Sequence, residues 1–211
     1  VSRQMYVTAG LGAQSTGERF TLDYDLPNDT CYTETCASIG LAFWAKRLRL
    51  IDAKGEYADV IERAMYNGIL SGISLEGTKY FYVNPLEVQP DVAKYRQDQS
   101  HVATERVGWF DCACCPTNVA RFIASVGGYL ATVSDESVWI NQYASSAIDI
   151  RMNGTAVRVT QETGYPWKGL VSIGVEPASP VDFALNVRIP SWCDHWTIRI
   201  NGAMIDPVGK K

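Results

Sequence analysis

The apolar residues of this chain change period near residue 136, and that change limits the fold more than any single motif. Upstream, apolar side chains recur three and four residues apart; downstream, short β-branched and aromatic runs alternate with turn residues. The pattern predicts an α+β multidomain chain with domains at 1–135 and 136–211. Residues 1–30 read as loop, punctuated by Gly10, Gly12 and Gly17. The run from Cys36 to Leu50 sets Ile39, Phe43, Lys46 and Arg47 at helical spacing. A second run places Tyr57, Val60, Ile61, Ala64, Met65, Ile69 and Leu70 on one stripe and ends near Gly77. Lys79 to Pro85 reads as a short extended segment closed by proline. After a long loop, a third helix opens with Pro116 at its first position, turns Val119, Phe122, Ile123, Val126, Tyr129 and Leu130 inward, and stops by Ser134. Five runs follow, at 138–143, 156–161, 170–176, 181–190 and 197–205, the last with an Asn201-Gly202 hairpin signal. They predict an antiparallel sheet belonging to a β-sandwich.

With 46% hydrophobic and 20% charged residues, the chain can bury a real core. Lys plus Arg number 19 against 23 Asp plus Glu, a net charge of −4, and no basic block exceeds the Lys46, Arg47, Arg49 group. Nucleic acid is therefore not an expected partner. No apolar stretch reaches about 18 residues, so no membrane helix is expected. Residues 1–20 lack the basic start and apolar run of a secretory signal. Their glycine-rich polar character reads as a start in mid-protein.

Six cysteines carry the chemical information: Cys31, Cys36, Cys112, Cys114, Cys115 and Cys193. Three fall in Cys-Ala-Cys-Cys and two flank Tyr-Thr-Glu-Thr, a distribution unlike a disulfide framework, because neighbours this close meet disulfide geometry only with strain. Glu34 and Cys36 share a face if the stretch ahead of the first helix is extended, which is where both are expected. With Cys114 and Cys115 they offer three sulfurs and one carboxylate oxygen, a set that suits tetrahedral zinc. The competing reading makes the cysteines small buried hydrophobes, and it is the stronger one for Cys31 and Cys193; Cys112 fits either. Cys114 and Cys115 precede Pro116 and so lie near a helix N-terminus, where partial positive charge stabilises a thiolate. A thiolate beside a carboxylic acid makes a nucleophile-and-acid pair, and Glu18 on the glycine-rich loop is the candidate acid. A solvated loop glutamate is the alternative for that residue.

Three blocks, Thr16 to Gly40, Tyr80 to Leu86 and Cys114 to Arg121, resemble the β-L-arabinofuranosidases of glycoside hydrolase family 127, and Asn186 to Cys193 resembles that family's C-terminal sandwich. The resemblance implies the C-terminal part of an (α/α)6 barrel followed by an antiparallel β-sandwich. It further implies a zinc ion (Zn2+) held by Glu34, Cys36, Cys114 and Cys115, with Cys114 as nucleophile and Glu18 as general acid/base. Tyr82 is similar to a tyrosine lining the sugar pocket. The implied reaction is retaining hydrolysis that releases L-arabinose from a β-L-arabinofuranosyl oligosaccharide or glycoconjugate. Such a barrel has twelve helices and the pattern here supplies three, so a missing N-terminal half of the same protein is an implied partner. His101 and His195 fall outside the matching blocks and receive no role.

Two readings compete with the glycosidase. One is a structural zinc site whose closed sphere clamps loops without chemistry. The other is a carbohydrate-binding fragment without activity of its own, resting on Trp139, Trp167, Trp192 and Trp196, although tryptophans of this kind are expected in the core. Reduced thiolates favour a cytoplasmic or otherwise reducing setting.

Overall fold

The computed structural model describes residues 2–206. These form two compact units. The first comprises the described residues up to Ile51 together with Val60–Ala124; the second comprises Asp52–Asp59 and the described residues from Ser125 onward.

Loops dominate the start of the first unit, as the glycines predict. Helix α1 spans Thr35–Ile51 and buries Thr35, Ser38, Ile39, Leu41, Ala42, Ala45 and Arg49. Its inward face is built largely from small residues, so Phe43, Lys46 and Arg47 of the expected stripe flank that face rather than form it. Small residues also admit close approach. A Cβ added to Gly68 would stand 2.5 Å from Ser38 Oγ, so only hydrogen fits where the two segments cross.

The second helical run is not one helix. It begins as α2 (Gly55–Arg63), widens into a π-helical turn at Ala64–Ile69 and tightens into a 3-10 turn at Leu70–Gly72. Side-chain period alone cannot register that extra residue per turn. A single turn, α3 (Pro90–Ala93), interrupts the long loop. Helix α4 covers Cys114–Ser125 and continues as a 3-10 turn over Val126–Tyr129. Pro116 is therefore its third residue and not its first. The position is tolerated because the first turn leaves its N–H groups without intrahelical partners. Val119, Phe122 and Tyr129 are buried as expected, whereas Ile123 is exposed. Phe122 meets Phe43 with ring centroids 6.2 Å apart, and the Arg121 guanidinium lies over the Phe43 ring at 4.7 Å from its centroid.

In the second unit, β1 (Ala131–Val133) pairs antiparallel with β2 (Ser137–Ile140). The longer strands β3 (Ser146–Met152), β4 (Thr155–Thr163) and β5 (Val171–Pro177) form an antiparallel sheet. Strand β6 (Ala184–Val187) lies parallel to β2, which corrects the expectation of a wholly antiparallel arrangement. Apolar alternation marks a strand but carries no information on its neighbour's direction. The β7–β8 hairpin (Ile198–Ile200, Ala203–Ile205) turns on Asn201 and Gly202, both at positive φ, as the dipeptide predicts. Asn153-Gly154 makes the same turn between β3 and β4.

The core of this unit gathers Val138, Ile140, Tyr143, Met152, Val157 and Val159. A buried ion pair, Arg188 Nη1 to Asp59 Oδ1 at 2.6 Å, ties Asp52–Asp59 into the unit, and Arg188 Nε donates to Asn141 O at 2.6 Å. The tryptophans depart from expectation. Trp167 is 91% exposed and Trp192 62% exposed, the latter stacked on Tyr165, while Trp139 is partly buried in β2. Among the described residues, no helix is long and apolar enough to cross a membrane.

Candidate metal centre

The site grows from two segments knitted together by their backbones. Glu34 forms an antiparallel bridge with Val83, Thr35 N donates to Tyr82 O at 3.0 Å, and Asn84 N donates to Thr33 O at 3.1 Å. The Asn84 amide adds a bond to Thr35 Oγ1 at 2.9 Å, and that hydroxyl donates to Phe81 O at 3.0 Å. This ladder fixes the chain up to Glu34, whose carbonyl accepts from Ala37 N and Ser38 N and so caps α1. Cys36 then falls in the first turn of α1. The sequence placed it ahead of the helix; the helix instead begins at Thr35, one residue before Cys36, after Thr33, at φ 37°, turns the chain ahead of Glu34. Cys114 and Cys115 occupy the first turn of α4. Three sulfurs are thus held at the N-terminal ends of two helices, where partial positive charge favours thiolate.

The four expected ligand atoms converge. Glu34, Cys36, Cys114 and Cys115 each bring one donor, all within 4.8 Å of one another, a group that could hold a metal ion. The Cys36 and Cys115 sulfurs lie 3.6 Å apart and those of Cys114 and Cys115 3.8 Å apart. Glu34 Oε1 is 3.4 Å from Cys114 Sγ and 3.6 Å from Cys115 Sγ. Glu34 and Cys115 are buried and the other two half-buried.

Such crowding resists ionisation without a cation. Burial pushes the Cys114 thiol up to about 11. Cys115 rises as well, through its hydrogen bond with Cys36 and through burial, with the Glu34 and Cys114 charges adding to it. Cys36 moves the other way, to about 7, because the Cys115 thiol stabilises its thiolate. Two raised thiols beside a lowered one can all become thiolates together only around a positive ion, as a metal site requires.

Tyr82 stands beside this group. Its hydroxyl is 2.9 Å from Cys114 Sγ and 4.0 Å from Cys112 Sγ, and burial together with the Cys114 contact raises its pKa. Phe110 packs edge-on against both Tyr82 and Tyr80, forming an aromatic wall. Cys112, left open by the sequence, is exposed and outside the quartet. Glu18 sits at the end of a short hairpin closed by the Gln14–Arg19 bridge, with Gly17 and Glu18 both at positive φ. Tyr32, which sequence reasoning passed over, donates its hydroxyl to Glu18 Oε1 at 2.9 Å and packs its ring 6.4 Å from that of Tyr82. Its only signal was adjacency to Cys31 in the first cysteine block. His101 accepts no catalytic placement; its Nε2 lies 3.2 Å from Cys31 O.

Residues 1–128 match the β-L-arabinofuranosidase catalytic domain of glycoside hydrolase family 127, and residues 137–211 match that family's middle domain. The chain belongs to glycoside hydrolase family 127. Among its family relatives, the non-reducing end β-L-arabinofuranosidase of Bifidobacterium longum subsp. longum is 44% identical over 208 residues, covering 96% of this chain and 31% of that protein. The crystal structure of a family 127 β-L-arabinofuranosidase from Geobacillus stearothermophilus superposes with a TM-score of 0.94 at 50% identity, over 98% of this chain and 32% of the other. A further family 127 β-arabinofuranosidase structure gives a TM-score of 0.84 at 34% identity, over 99% of this chain and 33% of the other. The chain therefore spans about a third of the length of these family 127 relatives.

Proposed function

We propose that this chain carries the zinc-thiolate half of a retaining β-L-arabinofuranosidase, with residues 1–135 belonging to an (α/α)6-barrel catalytic domain and 136–211 to a β-sandwich. The observation that carries this reading is Cys114 Sγ, which is both a corner of the donor quartet and in contact with the Tyr82 hydroxyl at 2.9 Å. A purely structural site has no need of a tyrosine hydroxyl aimed at one of its ligands.

Zinc is the metal the donors favour. Around a tetrahedral ion with sulfur at about 2.3 Å and oxygen at about 2.0 Å, sulfur–sulfur edges run about 3.8 Å and sulfur–oxygen edges about 3.5 Å. The measured edges of 3.6 and 3.8 Å, and of 3.4 and 3.6 Å, support that fit. Three sulfurs also select against magnesium and calcium. Zinc held there would keep Cys114 deprotonated at neutral pH.

The chain's own groups then divide the work. Cys114 Sγ attacks the anomeric carbon of a β-L-arabinofuranoside while Glu18 gives its proton to the departing glycosidic oxygen, leaving a thioglycosyl bond to Cys114. Glu18, now a carboxylate, takes a proton from water as that water attacks the same carbon; L-arabinose leaves and both groups return to their starting states. Tyr82 orients the Cys114 sulfur, and with Phe110 it supplies an apolar wall for the sugar.

The test uses full-length enzyme purified without added metal. Emission spectrometry should find about one zinc per chain. A bromoacetamido β-L-arabinofuranose should inactivate the enzyme and label Cys114, mapped by peptide mass spectrometry. Zinc-free protein that turns over substrate would overturn the metal assignment, and labelling away from Cys114 would overturn the nucleophile.

A further inference from the structure

Glu18 faces a difficulty that its partner does not share. Cys114 is anchored on a helix and surrounded by its quartet, whereas Glu18 is an exposed residue on a tight turn. A general acid must be held at hydrogen-bond distance, about 2.6–3.2 Å, from the oxygen it protonates, and misplacement of about 1 Å costs roughly a hundredfold. Some group has to hold that carboxylate.

We infer that Tyr32 is the positioning residue for Glu18, holding the acid/base in register with the Cys114 nucleophile. The inference rests on the roles proposed above for Glu18 and Cys114. The Tyr32 hydroxyl donates to Glu18 Oε1 at 2.9 Å, a bond to an ionisable acceptor. The ring is fixed from two sides, 6.4 Å from Tyr82 and 6.0 Å from His101 between centroids. His101 is itself held, with Nε2 3.2 Å from Cys31 O. The backbone is tied down too: Tyr32 N and Thr33 N both donate to Gly12 O, at 3.0 and 3.1 Å, and Gly12 leads directly into the hairpin that bears Glu18.

Tyr32 therefore joins two otherwise separate parts of the site. On one side it binds the Glu18 carboxylate; on the other it packs on Tyr82, whose hydroxyl touches Cys114 Sγ. One aromatic side chain thus contacts both the acid and the aromatic neighbour of the nucleophile. His101, without a role in the sequence reading, acquires one as the outer support of that ring.

The test is a double-mutant cycle in the full-length, zinc-loaded enzyme with Tyr32→Phe and Glu18→Gln, each assayed on an alkyl and on an activated aryl β-L-arabinofuranoside. Tyr32→Phe should lower kcat/KM, which reports the step in which Glu18 is the acid, about tenfold or more on the alkyl substrate, with zinc content unchanged. On the aryl substrate, which leaves without a proton, the loss should stay below about threefold. Added to Glu18→Gln, Tyr32→Phe should cost nothing further, because its effect passes through the missing carboxylate. Losses that multiply in the double variant, or that are equal on both substrates, would overturn the role of Tyr32 while leaving Glu18 in place. If Glu18→Gln alone shows no preference between the substrates, the acid/base reading fails and the role of Tyr32 falls with it.

Discussion

Glu18 and Cys112 show how differently two neighbours of the same site should respond to substitution. Glu18→Gln removes the transferable proton yet keeps the shape and a hydrogen-bond acceptor for Tyr32, so the loss falls on chemistry rather than on folding. The kcat/KM on substrates with poor leaving groups should drop by about 10²–10⁴, and far less on activated aryl furanosides; equal losses in kcat/KM would remove Glu18 from the acid role. Cys112 sits 4.0 Å from the Tyr82 hydroxyl but outside the donor quartet. Cys112→Ser should therefore retain about one zinc and most of the activity, whereas Cys114→Ser should abolish turnover. Loss of zinc from Cys112→Ser, measured by emission spectrometry, would place that thiol among the ligands. The quartet was legible because a helix start concentrates close-spaced cysteines in one small volume. Tyr32 was not, since its side chain reaches Glu18 only through a turn with two residues at positive φ, and no periodic pattern encodes such a turn.

Among the secondary-structure elements, the glycines of α1 and of the π-helical turn make opposite predictions. An added Cβ at Gly68 would meet Ser38 Oγ at 2.5 Å, Ser38 Cβ at 2.8 Å and Thr8 O at 3.4 Å, with backbone among the obstacles. Gly68→Ala should destabilise the protein by about 1–3 kcal/mol, the usual cost of overpacking. Gly40, within α1 and exposed, has nothing within 4 Å of such an atom, so Gly40→Ala should gain about 0.8–1 kcal/mol from helix propensity alone. Urea midpoints of the two variants should move in opposite directions; an upward shift in both would mean that the close approach at Gly68 does not exist in solution. The same crossing explains why α1 was located but its face misread. Ser38, Ala42 and Ala45 carry too little apolar area to mark an inward stripe, although their size is what lets the neighbouring turn approach. Strand pairing was hidden for a related reason. Residues 181–190 read as one long strand, yet pairing survives only over Ala184–Val187 and runs parallel to β2, because partner direction is decided by contacts distant in sequence.

The molecule taken whole leaves apolar helical surface exposed among its described residues. Leu50 and Ile51 at the end of α1 are 65% and 83% exposed, and Trp44 and Ile123 project from α1 and α4 in the same condition. A helix bundle buries such side chains against neighbouring helices, and the family 127 relatives are about three times as long as this chain. The proposed barrel would supply such neighbours. Residues 1–211 produced alone should therefore self-associate, because exposed apolar side chains of this kind favour contact between copies. They should also show little or no turnover even when loaded with zinc, since groups needed to hold the sugar in near-attack geometry would be absent. Metal binding should nevertheless persist, because Glu34, Cys36, Cys114 and Cys115 all lie within one compact unit of this chain. Sedimentation velocity, zinc content and turnover of an aryl β-L-arabinofuranoside, measured on one preparation, separate these claims. Zinc-bound, associated and inactive protein is the expected result. A monodisperse monomer turning over substrate at the rate of a full-length relative would show that the pocket is already complete within these residues, and would remove the need for the proposed barrel partners.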